Sequence, residues 1–143
     1  RLQIDMAGDA QLLLVEPLVF GRAAMGERLR TLDLRDRIMI NRNGVPLYHD
    51  AIVLSGDATA HLAKPFVAKG AGAMAAMVYI APDAAGQLPH IRAMLPDTAG
   101  ASLIGDDMLV ARFLASDSFE LRRSLLPVLI RLKGGPLPRT WMI

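Results

Sequence analysis

The dipeptide Asn43-Gly44 constrains the fold of this chain more than any other pair of its residues. Both accept the left-handed backbone of a type I′ turn, and that turn joins strands running back on themselves. The flanks agree. From Glu27 to Ile40 charged residues alternate with Leu29, Leu32, Leu34, Ile38 and Ile40, the period of a strand with one wet face. Arg28, Arg30, Arg35 and Arg37 belong to that wet face. The apolar parity shifts between Leu29 and Leu32, so a bulge is expected there. Downstream, Val45 to Leu54 is the return strand. Pro46 holds its start at an edge or beside the turn, because proline cannot donate to a ladder.

Other strands follow from similar signals. Leu2 to Met6 alternates, and Gly8-Asp9 turns the chain. Leu12 to Phe20 is a short apolar run broken by one carboxylate, Glu16, and predicts a buried strand. Ala73 to Ile80 predicts a strand of small residues, closed by Pro82-Asp83, whose alanines let a neighbouring layer approach. Ala101 to Leu103 and Met108 to Ala115 predict a hairpin about Gly105-Asp106-Asp107. A short helix is expected around Ala58 to Ala63. Leu88, Ile91, Met94 and Leu95 have helical spacing, with Pro89 suited to a first turn and Pro96 as the stop. Asp117 with Glu120 predicts a capped helix start. Leu121, Leu125, Val128, Leu129 and Leu132 then form a buried stripe, while Arg122, Arg123, Arg131 and Lys133 stay wet. Pro127 is expected to kink this helix, and Gly134-Gly135-Pro136 to end it. The sum is an α+β chain, mainly β, with two main helices towards the C-terminus. Its 143 residues predict a single domain.

Bulk properties narrow the function. The sequence is 52% hydrophobic but 5% aromatic, so aliphatic residues, alanine and eight methionines do the packing. Sixteen basic against fourteen acidic residues leave a net charge of +2, without a cluster of Lys and Arg interleaved with aromatics. Nucleic acid is therefore not an expected partner. The longest uncharged segment, Gly70 to Pro82, is too short and too glycine-broken to span a bilayer. No signal-peptide pattern opens the sequence. With no cysteine there is no disulfide or thiol chemistry, which is compatible with a cytoplasmic protein.

The stretch from Glu16 to Glu27 carries the most distinctive chemistry. A carboxylate (Glu16), a guanidinium (Arg22) and a second carboxylate (Glu27) stand around Gly21 and Gly26, where the backbone bends or another segment comes close. Unpaired burial of such charges is costly, so they form an internal ion-pair network or a polar surface that something else uses. The residue types favour the network. Arg112 interrupts an apolar strand and needs a carboxylate or carbonyl if it points inward. Trp141, the only tryptophan, either pins the tail to the core or anchors a partner. No set of residues is armed for catalysis: Gly-x-Ser-x-Gly, a phosphate loop and His-Glu-x-x-His are all absent. His49, His61 and His90 have no second ligand at metal spacing. The catalytic expectation is none, and no tightly bound cofactor is expected.

The pattern Glu-x-x-x-x-Gly-Arg-x-Ala-x-Gly-Glu, filled by Glu16, Gly21, Arg22, Ala24, Gly26 and Glu27, resembles the urease accessory protein UreD (UreH) family. The closing Leu137-Pro138-Arg139-Thr140-Trp141 is similar to that family's Leu-Pro-Arg-x-Trp. Arg42-Asn43-Gly44, Ala71 to Ile80 and Val110-Ala111-Arg112 fall between them in the family's order. The resemblance covers nearly the whole chain. It implies a fold of stacked, β-helix-like antiparallel sheets with two C-terminal helices. Family members are about twice this long, so the resemblance implies a C-terminal portion, its N-terminal half absent. It also implies a non-enzymatic scaffold in urease maturation, bridging apo-urease and UreF, which in turn carries the GTPase UreG. Nickel then passes transiently, and Glu16 and Glu27 are the implied candidates for lining its path. The helix from Ser118 and the tail with Pro138, Arg139 and Trp141 are the implied UreF contact or the support beneath it. A stand-alone β-rich binding module, unconnected with metal delivery, is the alternative.

Overall fold

The Asn43-Gly44 turn forms as its residues demand, with φ of 52° and 76°, and Arg42 pairs with Val45 across it. The structure is a computed structural model that describes residues 1–21 and 25–141. Its strands are β1 (Leu2–Met6), β2 (Leu12–Val19), β3 (Leu32–Arg42), β4 (Val45–Gly56), β5 (Ala73–Ile80), β6 (Ala99–Ile104) and β7 (Met108–Ala115). The helices are α1 (Ala58–Leu62), α2 (Ala84–Met94) and α3 (Ser118–Lys133), followed by a 3₁₀ turn at Arg139–Trp141. The chain is mainly β with its longer helices towards the C-terminus. It divides into two compact units, Arg1–Ala10 with Arg28–Lys69, and Gln11–Glu27 with Gly70–Ile143.

The first unit holds a sheet in the order β1-β3-β4. In it β1 runs parallel to β3, and β3 antiparallel to β4. The expected bulge between Leu29 and Leu32 is absent because no strand has begun there. Leu29 instead meets α1: its N–H donates to Thr59 Oγ1 at 2.9 Å, and its carbonyl accepts from the Ala58 N–H at 3.0 Å. Parity changed because a loop ended, not because a strand slipped. The ladder's irregularity lies beside the turn, where Ile40 faces Tyr48 and Asn41 faces Pro46, leaving Leu47 as the extra residue. Ile38, Ile40, Met6 and Leu54 are its buried strand residues. Asp57 caps α1 by accepting from the Ala60 N–H at 2.8 Å.

The second unit is an antiparallel sheet in the order β2-β5-β7-β6. β5 is central, and seven of its eight residues are buried, so its sequence shows no wet face. Ala73, Ala75, Met77 and Tyr79 line one face with Leu109, Ala111 and Phe113 of β7. Onto that face pack Ile91 of α2 and Leu121, Leu125, Val128, Leu129 and Leu132 of α3. The predicted α3 stripe and bounds both hold. Asp117 accepts from the Glu120 N–H at 2.9 Å, and Gly134 ends the helix at φ 64°.

Two expectations in this unit need correction. Leu12 to Phe20 was expected as a buried strand, yet β2 is half-buried or exposed along its length, and among the described residues it has a strand neighbour on one side only. An edge also tolerates Pro17, which faces Ala75. The helix expected from Leu88 begins at Ala84, which puts Pro89 in its interior. Of the expected apolar stripe only Ile91 is buried; Met94 is exposed.

Gly72 joins the ends of this sheet: it accepts from the Phe20 N–H at 2.9 Å and donates to the Ala115 carbonyl at 3.0 Å. A Cβ added there would lie 2.3 Å from the Ser116 carbonyl oxygen, and backbone cannot step aside as a side chain can. Gly72→Ala is therefore expected to destabilise by about 2 kcal/mol. Gly86→Ala, where a Cβ meets open space inside α2, is expected to stabilise by up to about 1 kcal/mol. Thermal unfolding of both variants checks the contrast.

Candidate partner-docking groove

β2 and the tail that follows α3 meet along α3 in the second unit. The tail leaves α3 at Gly134, buries Leu137 and closes its 3₁₀ turn with the Trp141 N–H donating to the Pro138 carbonyl at 2.9 Å. Arg122 of α3 donates through Nη2 to the Trp141 carbonyl, and Lys133 donates to the Pro136 carbonyl. The indole is half-buried and packs against the helix-covered core. Arg122, expected to stay wet, is thus half-buried and holds the tail.

Trp141 lines two depressions. One, of about 630 Å³, is walled by Pro17 and Val19 of β2, Phe119, Arg122 and Leu125 of α3, and Trp141 itself. The other, of about 320 Å³, is walled by Leu13, Val15, Leu129, Pro138 and Trp141. The larger is open to solvent through side chains that water does not favour: Phe119 is 70% exposed and Val19 53%. Contiguous exposed apolar side chains beside one guanidinium suit the binding of an apolar protein segment. The lining is mainly apolar, with the Ser118 and Thr140 hydroxyls and the Arg122 guanidinium as its polar groups, a composition that suits binding. Sequence reasoning missed Val19 and Phe119. The available signal was a phenyl ring in the first turn of α3, outside the buried stripe.

Opposite the groove's logic of exposure stands a polar chain that stiffens the same unit. Tyr79 donates to Asp83 Oδ1 at 2.7 Å, Gln87 donates to Asp83 Oδ2 at 2.9 Å, and Arg131 donates to Gln87 Oε1 at 2.9 Å. It ties β5 to α2 and α2 to α3. Gln87 and Tyr79, in that order, hold the Asp83 carboxyl below its ordinary range. Burial, then the bond to Asp83, pushes the Tyr79 phenol up to about 12. Asp117 is likewise held low, chiefly by the Glu120 N–H it caps.

The residues singled out from sequence fall in distinct places. Gly21 and Gly26 have φ of 75° and 74°, a left-handed backbone that explains glycine at both. Arg22 lies outside the described residues. Glu16 is half-buried on β2, and Glu27 is exposed in the loop after it. Glu16 faces Ala76, which faces Arg112, so carboxylate and guanidinium share one row of the sheet with only a methyl group between. Arg112 is exposed, and Glu16, Glu27 and Arg112 all have interacting neighbours. Among the described residues no three His, Asp or Glu side chains gather where they could hold a metal ion. Pro138 and Arg139 are exposed on the tail. No helix among the described residues is long and apolar enough to cross a membrane.

A family model described as UreD urease accessory protein matches residues 1–142. The chain belongs to the UreD family. Proteins named urease accessory protein UreD from Ruegeria pomeroyi and Roseobacter denitrificans are 56% and 45% identical to it over its whole length, which covers 56% and 52% of theirs. One from Paracoccus denitrificans is 40% identical over 98% of this chain and 51% of its own. The chain spans about half the length of the curated relatives it matches. In this UreD chain, β2 gives the groove Pro17 and Val19, next to Glu16 in sequence, and the tail gives Thr140 and Trp141.

The Asp83 chain predicts two pH effects of known sign. A carboxyl held low stabilises the fold above its ordinary value of 3.8 and loses that contribution as pH falls through its lower folded value. Asp83→Asn is expected to lower the melting temperature at neutral pH, with the gap from the parent closing in acid below 3.8. A phenol held high acts in the other direction. Stability is expected to fall as pH rises from 10 to about 12, a loss that Tyr79→Phe lessens. Melting curves across both ranges check the signs.

Proposed function

We propose that this chain acts, within a longer UreD protein in the cytoplasm, as a non-enzymatic scaffold for urease maturation. It joins apo-urease to UreF, through which UreG is recruited, while nickel passes to the urease centre as cargo. The observation that carries this reading is the open apolar groove that β2 forms with α3 and the Trp141 tail. Such a surface suits a protein that holds others. The groove is assigned to UreF. A helical partner laid along α3 would cover Phe119 and Val19 and could place a carboxylate against Arg122.

Glu16 and Glu27 are assigned to the nickel route as transient ligands. Oxygen donors in small number suit a cargo that must leave again, since a closed set of strong ligands would retain it. The Glu16–Ala76–Arg112 row supports a gating role for Glu16, because an adjacent guanidinium weakens a carboxylate's hold on a cation.

Two measurements on the full-length protein test the assignments. Phe119→Asp is expected to weaken UreF binding by about ten-fold or more without lowering the melting temperature, since Phe119 is exposed. Unaltered binding sinks the groove assignment and favours a stand-alone module. Glu16→Ala is expected to lower urease activation in cells while stability and UreF binding persist. A fall in melting temperature instead makes Glu16 a structural charge.

A further inference from the structure

The first unit carries an apolar projection that the groove does not explain. After α1 the chain runs Lys64-Pro65-Phe66-Val67-Ala68-Lys69, and its own backbone fixes its shape. The Lys64 carbonyl accepts from the N–H groups of both Val67 and Lys69 at 3.1 Å, and the Lys64 N–H donates to the His61 carbonyl at 3.2 Å. Ala68 is turned inward and buried. Lys69 sits at φ 51°, a left-handed value seldom taken by lysine. With the inward place filled by Ala68, Phe66 is held outward: it is 102% exposed, and Val67 beside it 43%. The ring therefore stands in solvent on a tied loop.

We propose that Phe66 is the anchor of a second protein-docking surface, filled by a partner presenting an apolar pocket rimmed with carboxylates. A rigid aromatic knob loses little freedom on binding and withdraws a large apolar area from water, the two properties that mark interface anchors. The rim follows from charge. Lys64 and Lys69 flank the knob, both are exposed, and neither ammonium has a carboxylate within ion-pair distance among the described residues. An acidic rim would complement them and speed encounter. A membrane surface fits less well. Lipid recognition of this kind draws on roughly four to eight clustered basic residues and a broad apolar helix face, where this loop offers two lysines and two apolar side chains.

The inference rests on reading the protein as an assembly scaffold, and its test separates the two. The full-length protein is titrated with purified apo-urease and with purified UreF, as parent, Phe66→Ser, Lys64→Glu/Lys69→Glu, and Phe119→Asp. Phe66→Ser is expected to raise the Kd for one probe by about ten-fold or more, with the melting temperature unchanged. The double charge reversal is expected to weaken the same complex, whose parent affinity falls with added salt. If Phe66→Ser binds both probes like the parent, the docking surface falls and the scaffold reading stands. If the parent binds neither probe, both readings fall. A lowered melting temperature for Phe66→Ser overturns the proposal in favour of cover from within the same polypeptide. Capture of the parent but not Phe66→Ser by phosphatidylglycerol vesicles overturns it in favour of a lipid surface.

Discussion

The fit of α3 over β5 and β7 is the interaction on which the second unit depends. Ala73 and Ala75 present almost no side chain, so the leucines of α3 settle close to the sheet. Larger residues there would lift the helix and open voids beside Phe113, and cavities of that kind are among the most destabilising defects in a core. Once α3 is seated, the rest follows. Its first turn presents Phe119, Arg122 reaches the tail, and Trp141 comes to rest near β2. The groove is a by-product of a well-filled core, which is why it is firm enough to serve as a docking surface.

Much of this was legible in the sequence, for physical reasons that differ by element. Asn43-Gly44, the Asp117 cap and Gly134 are local devices, whose geometry is dictated by the residues themselves. The small-residue strand β5 was legible because burial on both faces leaves an unbroken apolar run. The misses were of another kind. β2 looks buried in sequence, yet sheet order makes it an edge, and sheet order is a long-range property. Pro89 was placed in a first turn because proline is well tolerated there; tertiary packing carried α2 four residues further back. The bulge beside Asn43 was hidden because Pro46 and Leu47 are both apolar, so parity gave no sign of the extra residue.

The candidate site was half legible. Glycine at 21 and 26 was attributed to bends, and both have left-handed backbone. Of the alternatives for Trp141, packing of the tail on the core is what is seen; the ring also walls the groove. What the sequence could not convey was that residues some hundred positions apart along the chain would share one surface. Nor could it disclose Phe66, since an exposed phenylalanine and a buried one look alike until a loop's hydrogen bonds are known.

Pro17 carries a consequence beyond fitting an edge. Facing Ala75 in an antiparallel ladder, its ring nitrogen points away from β5, towards the side where a further strand would have to pair. A row of outward amides is what recruits stray β-segments into unwanted sheets, and here that row lacks a member at its middle. Backbone annealing along this flank is thereby discouraged, which leaves more of the selectivity to the side chains of Val19, Phe119 and Trp141.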